Sequence, residues 1–481
     1  MAIATINYNA GQLAAIDGIV KSLSYGNDGK ACLQGAAGTG KTTTFKEILR
    51  RLQKERYGDE RGVCIAAPTN KAVRVAKSMF ASEGLSGVDF KTVHSLLGLM
   101  VEDSEGRKDL RKREIDQLRD IYHTIIFDEA SQIGSELKTE IINECWGCNI
   151  LGVGDQNQLP PIQKKKKQSK QEGCVASNEE PETKQSKFPF FDYFDASETF
   201  RLSEVMRQKD SPTGGIVDVA ARAVESNRKN FDPRNYKEYF QQSADSEKGV
   251  WCFSVDNFYP VLAQAFGAAK EKGNYWDETR LICFHHKSIV QINQYVRCVL
   301  YGDTAKQTFF LPGEPLTCLS PVVREHWCEE SEKMVREIIF PTSTELRVIN
   351  AYPDIQKVEL TKDYFLEYKC WRVLAQEPES QINKELCIIC PSDADRYEEQ
   401  LNYFKQSAIN KRITWFSYYK LMSYFDDVRV GYGLTAYSSQ GSTYKNVFVV
   451  CPDILNVRDQ DVQRRSFYVA LSRVTDKLIM C

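Results

Sequence analysis

The sequence predicts an α/β protein with two parallel sheets flanked by helices, a small insertion in the first and a β-rich insertion in the second. Three observations lead there. Apolar strand-like runs alternate with helix-like stretches over the first 160 residues. A glycine-rich turn, Gly35-Ala36-Ala37-Gly38-Thr39-Gly40-Lys41-Thr42, follows one such run and opens a helical one. A second α/β pattern begins near residue 200, breaks over 341–429 and then resumes. Repeated β-α-β alternation calls for parallel strands with helices on both faces. A sheet that stops and resumes carries an inserted subdomain.

The elements follow in order. Leu13, Ile16, Val20 and Leu23 recur at helical spacing. Residues 31–34 read as a strand, and Phe45, Ile48, Leu49 and Leu52 fall on one side of the helix after the glycine turn. A strand is expected over 63–67, a helix over 71–80, and further strands over 123–127 and 149–153. The charged stretch 96–120 interrupts the sheet as a small insertion. Residues 163–187, opening on Gln163-Lys164-Lys165-Lys166-Lys167, are too polar to bury a core and read as a disordered loop. The aromatics Phe188, Phe190, Phe191, Tyr193 and Phe194 are expected to pack back on the core. In the second half, a strand at 281–284 precedes a helix marked by Ile289, Ile292, Val296 and Val299. Strands at 432–436, 446–450 and 477–480 complete the pattern. The expected domains are 1–200, then 201–340 together with 430–481, with 341–429 as a small-barrel-like insertion.

Composition narrows the class. Of 481 residues 42% are hydrophobic, yet no run approaches the ~20 apolar residues of a membrane helix. Met1-Ala2-Ile3-Ala4-Thr5 lacks the basic start of a signal peptide. The 15 cysteines have no framework spacing and read as free thiols of a reducing compartment, so the expected location is cytoplasmic. Cys145/Cys148 and Cys387/Cys390 lie in different expected domains, and residues i and i+3 of a strand face apart, so zinc is not expected. A net charge of -2 does not advertise a nucleic-acid binder, but a local basic stripe can vanish in the total.

The glycine turn matches G-x-x-x-x-G-K-[ST] in full, between a strand and a helix, where its backbone N–H groups and the helix N-terminus can hold phosphate. Gly35, Ala36, Ala37, Gly38, Thr39, Gly40, Lys41, Thr42 and Thr43 are the candidate cradle for ATP. Lys41 suits the β- and γ-phosphates and Thr42 suits Mg²⁺. The apolar run Ile125-Ile126-Phe127 ends in Asp128-Glu129, placing one carboxylate to hold Mg²⁺ through water and the other to polarise an attacking water.

Six further segments resemble the motifs of superfamily 1 DNA helicases, in that family's order. They are Ala66-Ala67-Pro68-Thr69-Asn70-Lys71-Ala72, Lys91-Thr92-Val93-His94-Ser95-Leu96, Gly154-Asp155-Gln156-Asn157-Gln158-Leu159-Pro160-Pro161, Leu202-Ser203-Glu204-Val205-Met206-Arg207-Gln208, the run Leu434 to Thr443, and Phe467-Tyr468-Val469-Ala470-Leu471-Ser472-Arg473. The pattern is most similar to the Dda/RecD-like branch. That resemblance implies two RecA-like P-loop NTPase domains, a pin-like insertion at 96–120 that separates strands, and an ATP-driven helicase moving 5′→3′ on single-stranded DNA. It implies an adenine contact from Gln12, γ-phosphate sensing by Gln158, Arg207 and Arg473, and a nucleotide-side role for Gly441. Pro68, Thr69, Thr92, His94, Thr435, Tyr437 and Ser439 become candidate DNA contacts. The expected partners are single-stranded DNA and duplex junctions, with single-strand-binding or replisome proteins beside them and the chain acting as a monomer.

One departure from the family pattern is clear: Tyr437 and Ser438 stand where a His-Lys pair is usual. Three alternatives stay open: a 3′→5′ helicase of the UvrD/Rep type, a DNA-stimulated translocase without unwinding, and a catalytically silent binding module.

Overall fold

In the computed structural model the described residues are 7–24, 26–55, 59–80, 87–104, 107–112, 115–161, 186–204, 206, 211–241, 247–272, 278–328, 333–361, 364–378 and 380–481. The chain divides into two units. One comprises 1–100, 112–239 and 459–472; the other comprises 101–111, 240–458 and 473–481.

The first unit is built on β1 (Lys30–Gly35), β2 (Gly62–Ala67), β3 (Val88–Thr92), β6 (Tyr122–Phe127), β7 (Asn149–Gly154) and β8 (Thr199–Leu202). Between β3 and β6 runs a two-stranded ribbon, β4 (Leu99–Ser104) with β5 (Arg107–Lys112), which occupies the expected pin-like insertion. The six-stranded sheet has the order β3-β2-β6-β7-β1-β8, and every pair is parallel. Side chains alternate along each strand, so one sheet feeds two cores. Ala31, Leu33, Val63, Ile65, Ile126, Leu151 and Val153 pack under the helices Ala10–Ser24 and Lys41–Glu55. Cys32, Cys64, Ala66, Ile125, Phe127 and Ile150 point the other way, into a core closed by Phe188, Phe190, Phe191 and Phe194. Phe127 meets Phe190 edge-on with ring centroids 5.3 Å apart. The aromatic segment thus packs as expected. The polar stretch before it lies, from 163 to 185, outside the described residues.

The second unit holds a five-stranded parallel sheet, order β18-β10-β19-β20-β9. Its strands are β9 (Gly249–Cys252), β10 (Thr279–Cys283), β18 (Gly433–Thr435), β19 (Tyr444–Val449) and β20 (Val474–Met480). Leu281 and Cys283 from the sheet pack with Phe258, Leu262 and Phe266 of helix Val255–Glu271 and Ile289, Ile292 and Val296 of helix His286–Tyr301. Between β10 and β18 comes the insertion: an antiparallel sheet in the order β16-β15-β14-β11-β17. These strands are β11 (Pro315–Cys318), β14 (Glu345–Thr361), β15 (Tyr364–Gln376), β16 (Asn383–Ile389) and β17 (Val428–Val430), with β12 (Val322–Cys328) and β13 (Lys333–Phe340) paired beside them. Two parallel sheets, a two-stranded ribbon between β3 and β6 and a β-rich insertion between β10 and β18 agree with the expected class, with residues 101–111 of the ribbon counted in the second unit.

The boundaries differ from the sequence-based ranges. The insertion begins at Pro315, not 341, and contains two helices, Pro391–Ile409 and Phe416–Met422. Residues 201–239 and 459–472 join the first unit. β8 pairs with β1, and helix Gln460–Leu471 packs on helix Pro212–Glu225. That helix buries nine of its twelve residues, Gln463 to Leu471 without a break, which only packing on several sides allows. Among the described residues no helix is long and apolar enough to cross a membrane.

Candidate nucleotide-binding site

The carboxyl ends of parallel strands are where open α/β sheets bind ligands. Here β1 runs straight into the glycine turn, and Gly38 and Gly40 adopt φ of +82° and +81°, which lets the chain curl before helix Lys41–Glu55 starts. The turn is held by Thr39, whose hydroxyl donates to the Ala36 carbonyl at 2.9 Å. Lys41 Nζ donates to the carbonyls of Gly35 (2.6 Å) and Ala36 (2.9 Å) and lies 4.0 Å from the Asp155 carboxylate. Thr42 is exposed at the mouth of the turn, and Thr43 is half-buried beside it.

Gln12 sits against this loop. Its amide donates to the Thr39 carbonyl (3.3 Å) and accepts from the Asn9 N–H (3.0 Å), while Asn9 Oδ1 accepts from the Gln12 N–H (2.7 Å). This reciprocal box caps helix Ala10–Ser24 and fixes the glutamine over the turn. Both ends of the amide have backbone partners, a commitment the sequence did not suggest. Past β8, the Met206 N–H donates to the Gly38 carbonyl at 2.7 Å, and Asn9 Nδ2 donates to Glu204. Arg207 lies outside the described residues.

β6 ends in the two carboxylates. The Asp128 N–H bonds to the Ala66 carbonyl of β2, and Asp128 Oδ1 accepts from the Glu129 N–H at 2.9 Å. Glu129 takes φ of +50°, a left-handed turn that ends the strand abruptly. Burial, and then the neighbouring Glu129 charge, push the Asp128 carboxyl up to about 7, opposed by the Glu129 N–H and Lys41. A divalent cation at this carboxylate would reverse the effect, and Asp128 with exposed Thr42 offers the hard oxygen donors that Mg²⁺ takes.

β7 ends in Gly154-Asp155, and the loop after it turns back so that the Gln158 N–H meets the Asp155 carbonyl at 3.3 Å. Asp155 and Gln158 are both buried. Helix Gln460–Leu471 grips this loop. Arg465 Nη1 donates to the carbonyls of Gln156 and Gln158, the latter at 3.0 Å, while its Nε pairs with Asp461 at 2.9 Å. The Tyr468 hydroxyl donates to Asp155 Oδ2 at 2.5 Å and accepts from the Ala37 N–H at 2.6 Å. Sequence reasoning missed Asp155, Arg465 and Tyr468 as parts of this site, although it quoted two of them within motifs. Asp155 directly after the strand was the readable signal.

The other candidates fall at two places. In the first unit, β2 and β3 are neighbours with Ala67 opposite Thr92, so Pro68 and Thr69 emerge beside Thr92 and His94. Thr69 and Thr92 each cap a short helical start, accepting from Ala72 and Ser95 N–H groups. Burial holds the half-buried His94 below its ordinary range, favouring the neutral ring. In the second unit, Thr435 ends β18, and its hydroxyl bonds Ser438. Thr435 and Ser439 are buried, and the Ser439 hydroxyl donates to the Ala436 carbonyl, whereas Tyr437 is half-exposed. Gly441 turns the same loop at φ +75°, and Arg473 donates to the Ser442 carbonyl at 3.2 Å.

Two family models match the chain. Residues 22–164 match the "AAA domain" model, which covers the glycine turn, both β6 carboxylates and Gln158. Residues 431–481 match the "UvrD-like helicase C-terminal domain" model. The chain resembles the superfamily 1 helicases. A relative from Acanthamoeba polyphaga mimivirus, "Uncharacterized protein R530", is 22% identical over 93% of this chain and 94% of its own. "Uncharacterized protein MJ1519" of Methanocaldococcus jannaschii is 23% identical over 93% of this chain, which spans only 36% of that protein. Among solved structures, Candida albicans Pif1 helicase aligns over 99% of this chain and 95% of its own, at 15% identity and a TM-score of 0.45. Bacteroides Pif1 bound to ssDNA aligns over 97% and 91%, at 14% identity and a TM-score of 0.43.

Proposed function

We propose that this chain is an ATP-dependent DNA helicase that translocates 5′→3′ on single-stranded DNA and opens duplex ahead of it. The observation that carries this reading is the common edge of the first sheet. β1, β6 and β7 present the glycine turn, Asp128-Glu129 and Asp155 there, while the adjoining β2 and β3 present Thr69 and Thr92. A nucleotide cradle and small hydroxyls suited to gripping backbone phosphates thus share one rigid frame. Lys41 binds the β- and γ-phosphates. Thr42 and Asp128 would hold Mg²⁺, which when bound would neutralise charge on the phosphates. Glu129 takes the proton of the attacking water, Gln158 senses the terminal phosphoryl, and Arg207 and Arg473 stabilise its charge. Pro68, Thr69, Thr92 and His94 in one unit contact DNA, as do Thr435, Tyr437 and Ser439 in the other. The ribbon β4–β5 splits the duplex, and the enzyme works as a monomer in DNA replication, recombination or repair.

Forked duplexes with a single 5′ or a single 3′ tail test this, with ATP hydrolysis followed in parallel. Unwinding of the 5′-tailed substrate alone, with hydrolysis stimulated by single strands, is expected. Unwinding only from 3′ tails overturns the direction, and hydrolysis indifferent to single-stranded DNA overturns the motor.

A further inference from the structure

We infer that Tyr468 is a latch on the phosphate turn, released by the terminal phosphoryl group, which lets the site distinguish a nucleoside triphosphate from a diphosphate. The inference rests on the nucleotide reading above and adds a residue to which that reading gives no role. Tyr468 is fully buried, and its hydroxyl makes a two-sided bond: it accepts from the Ala37 N–H at 2.6 Å and donates to Asp155 at 2.5 Å. The amide of Ala37 belongs to the turn whose N–H groups hold phosphate oxygens. It can serve the tyrosine or a phosphoryl oxygen, not both at full strength.

The surroundings say which phosphate competes. Ala37 precedes the helix start by four residues and is bridged through Tyr468 to Asp155 at the end of β7. The Lys41 amine also lies on that side, 4.0 Å from the same carboxylate. Hydrolysis requires the terminal phosphoryl to lie toward the carboxylates that end β6, and β6 pairs with β7. The terminal phosphoryl is therefore the group that reaches the tyrosine's side of the turn. Entry of a triphosphate therefore has to displace the hydroxyl from the Ala37 N–H, while the hydroxyl stays tied to Asp155.

The rest of the helix does not depend on that bond. Arg465 holds the carbonyls of Gln156 and Gln158, Arg464 Nη1 donates to the Arg228 carbonyl at 3.0 Å, and Phe467 meets the Phe231 ring edge-on at 5.9 Å. Tyr468→Phe keeps the buried ring and removes only the hydroxyl, so the helix stays seated.

The test is a titration of wild type and Tyr468→Phe, with Mg²⁺ present, using fluorescent ADP and a fluorescent β,γ-imido triphosphate. Deleting one competing hydrogen bond is expected to tighten triphosphate binding by about fivefold. Diphosphate affinity should stay within about twofold, a split that a purely packing role does not produce. Equal shifts for both nucleotides, or none, overturn the latch. If wild type binds neither nucleotide, the nucleotide reading itself falls, which separates the two failures.

Discussion

Alanine at Gly40 perturbs the phosphate turn where it has least room. Gly40 stands at φ +81°, and a Cβ there would land on the Gln12 Nε2, well inside contact distance. The left-handed backbone costs a side chain about 1–2 kcal/mol. The reduced freedom of the unfolded chain returns about 0.4–1 kcal/mol of this. Gln12 is buried but flexible, so it moves aside and gives up its bonds to Thr39 and Asn9, at about 1 kcal/mol each. The total is on the order of 3 kcal/mol, shared between fold stability and nucleotide affinity as the turn either holds its shape or relaxes. Gly26 is the matched control, with φ +84° and nothing within 4 Å of a Cβ. There Ala pays strain alone, on the order of 1 kcal/mol, with nucleotide affinity unchanged. Urea unfolding and fluorescent-nucleotide titration, run on both variants, give the two parts. Adding Gln12→Ala to Gly40→Ala should cost far less than the two changes summed, because the contested side chain is already lost. Strict additivity, or a Gly40 variant as mild as Gly26→Ala, would refute the steric reasoning.

Three further outcomes are expected. Glu129→Gln keeps the shape of the left-handed turn but removes the base, so turnover should fall about 100-fold or more with nucleotide affinity little changed; near-normal turnover removes Glu129 from that role. Because the Asp128 carboxyl is raised to about 7 in the folded chain, the fold holds a proton there that the unfolded chain releases from about pH 4 upward. Metal-free stability should therefore decline between about pH 4 and pH 7 and level off above, and Asp128→Asn should flatten that slope in pH-dependent urea melts. Arg465→Ala leaves the Gln156 and Gln158 carbonyls without that donor while Asp461 keeps Lys187 at 2.9 Å, so a loss of about 2–3 kcal/mol is expected on unfolding, less than when a buried charge is stranded.

The parts of this site that were legible in the sequence are local ones. The glycine turn, the run ending in Asp128-Glu129 and the strand before Asp155 each announce themselves within about ten residues, because their chemistry depends on backbone shape and strand ends. Strand order is another matter: β1 lies between β7 and β8, and no local pattern states that. Helix Pro391–Ile409 escaped detection because only Phe404, Ser407 and Ala408 are buried along its 19 residues, too faint a stripe to read as helical periodicity. The bond from Tyr468 to Asp155 spans 313 residues, so neither partner signals the other.

That span also bears on how the protein is made. The first unit starts with the earliest strands, yet it takes in 459–472 only after four of the second sheet's five strands and its insertion have been made. A nascent chain emerging from the ribosome can form β1 through β8 early, but its phosphate turn stays unlatched and its β7 loop ungripped until Arg465 and Tyr468 have been synthesised. A message cut short before the codon for Arg465 would then yield a chain with every residue of the glycine turn in place and no finished site around it.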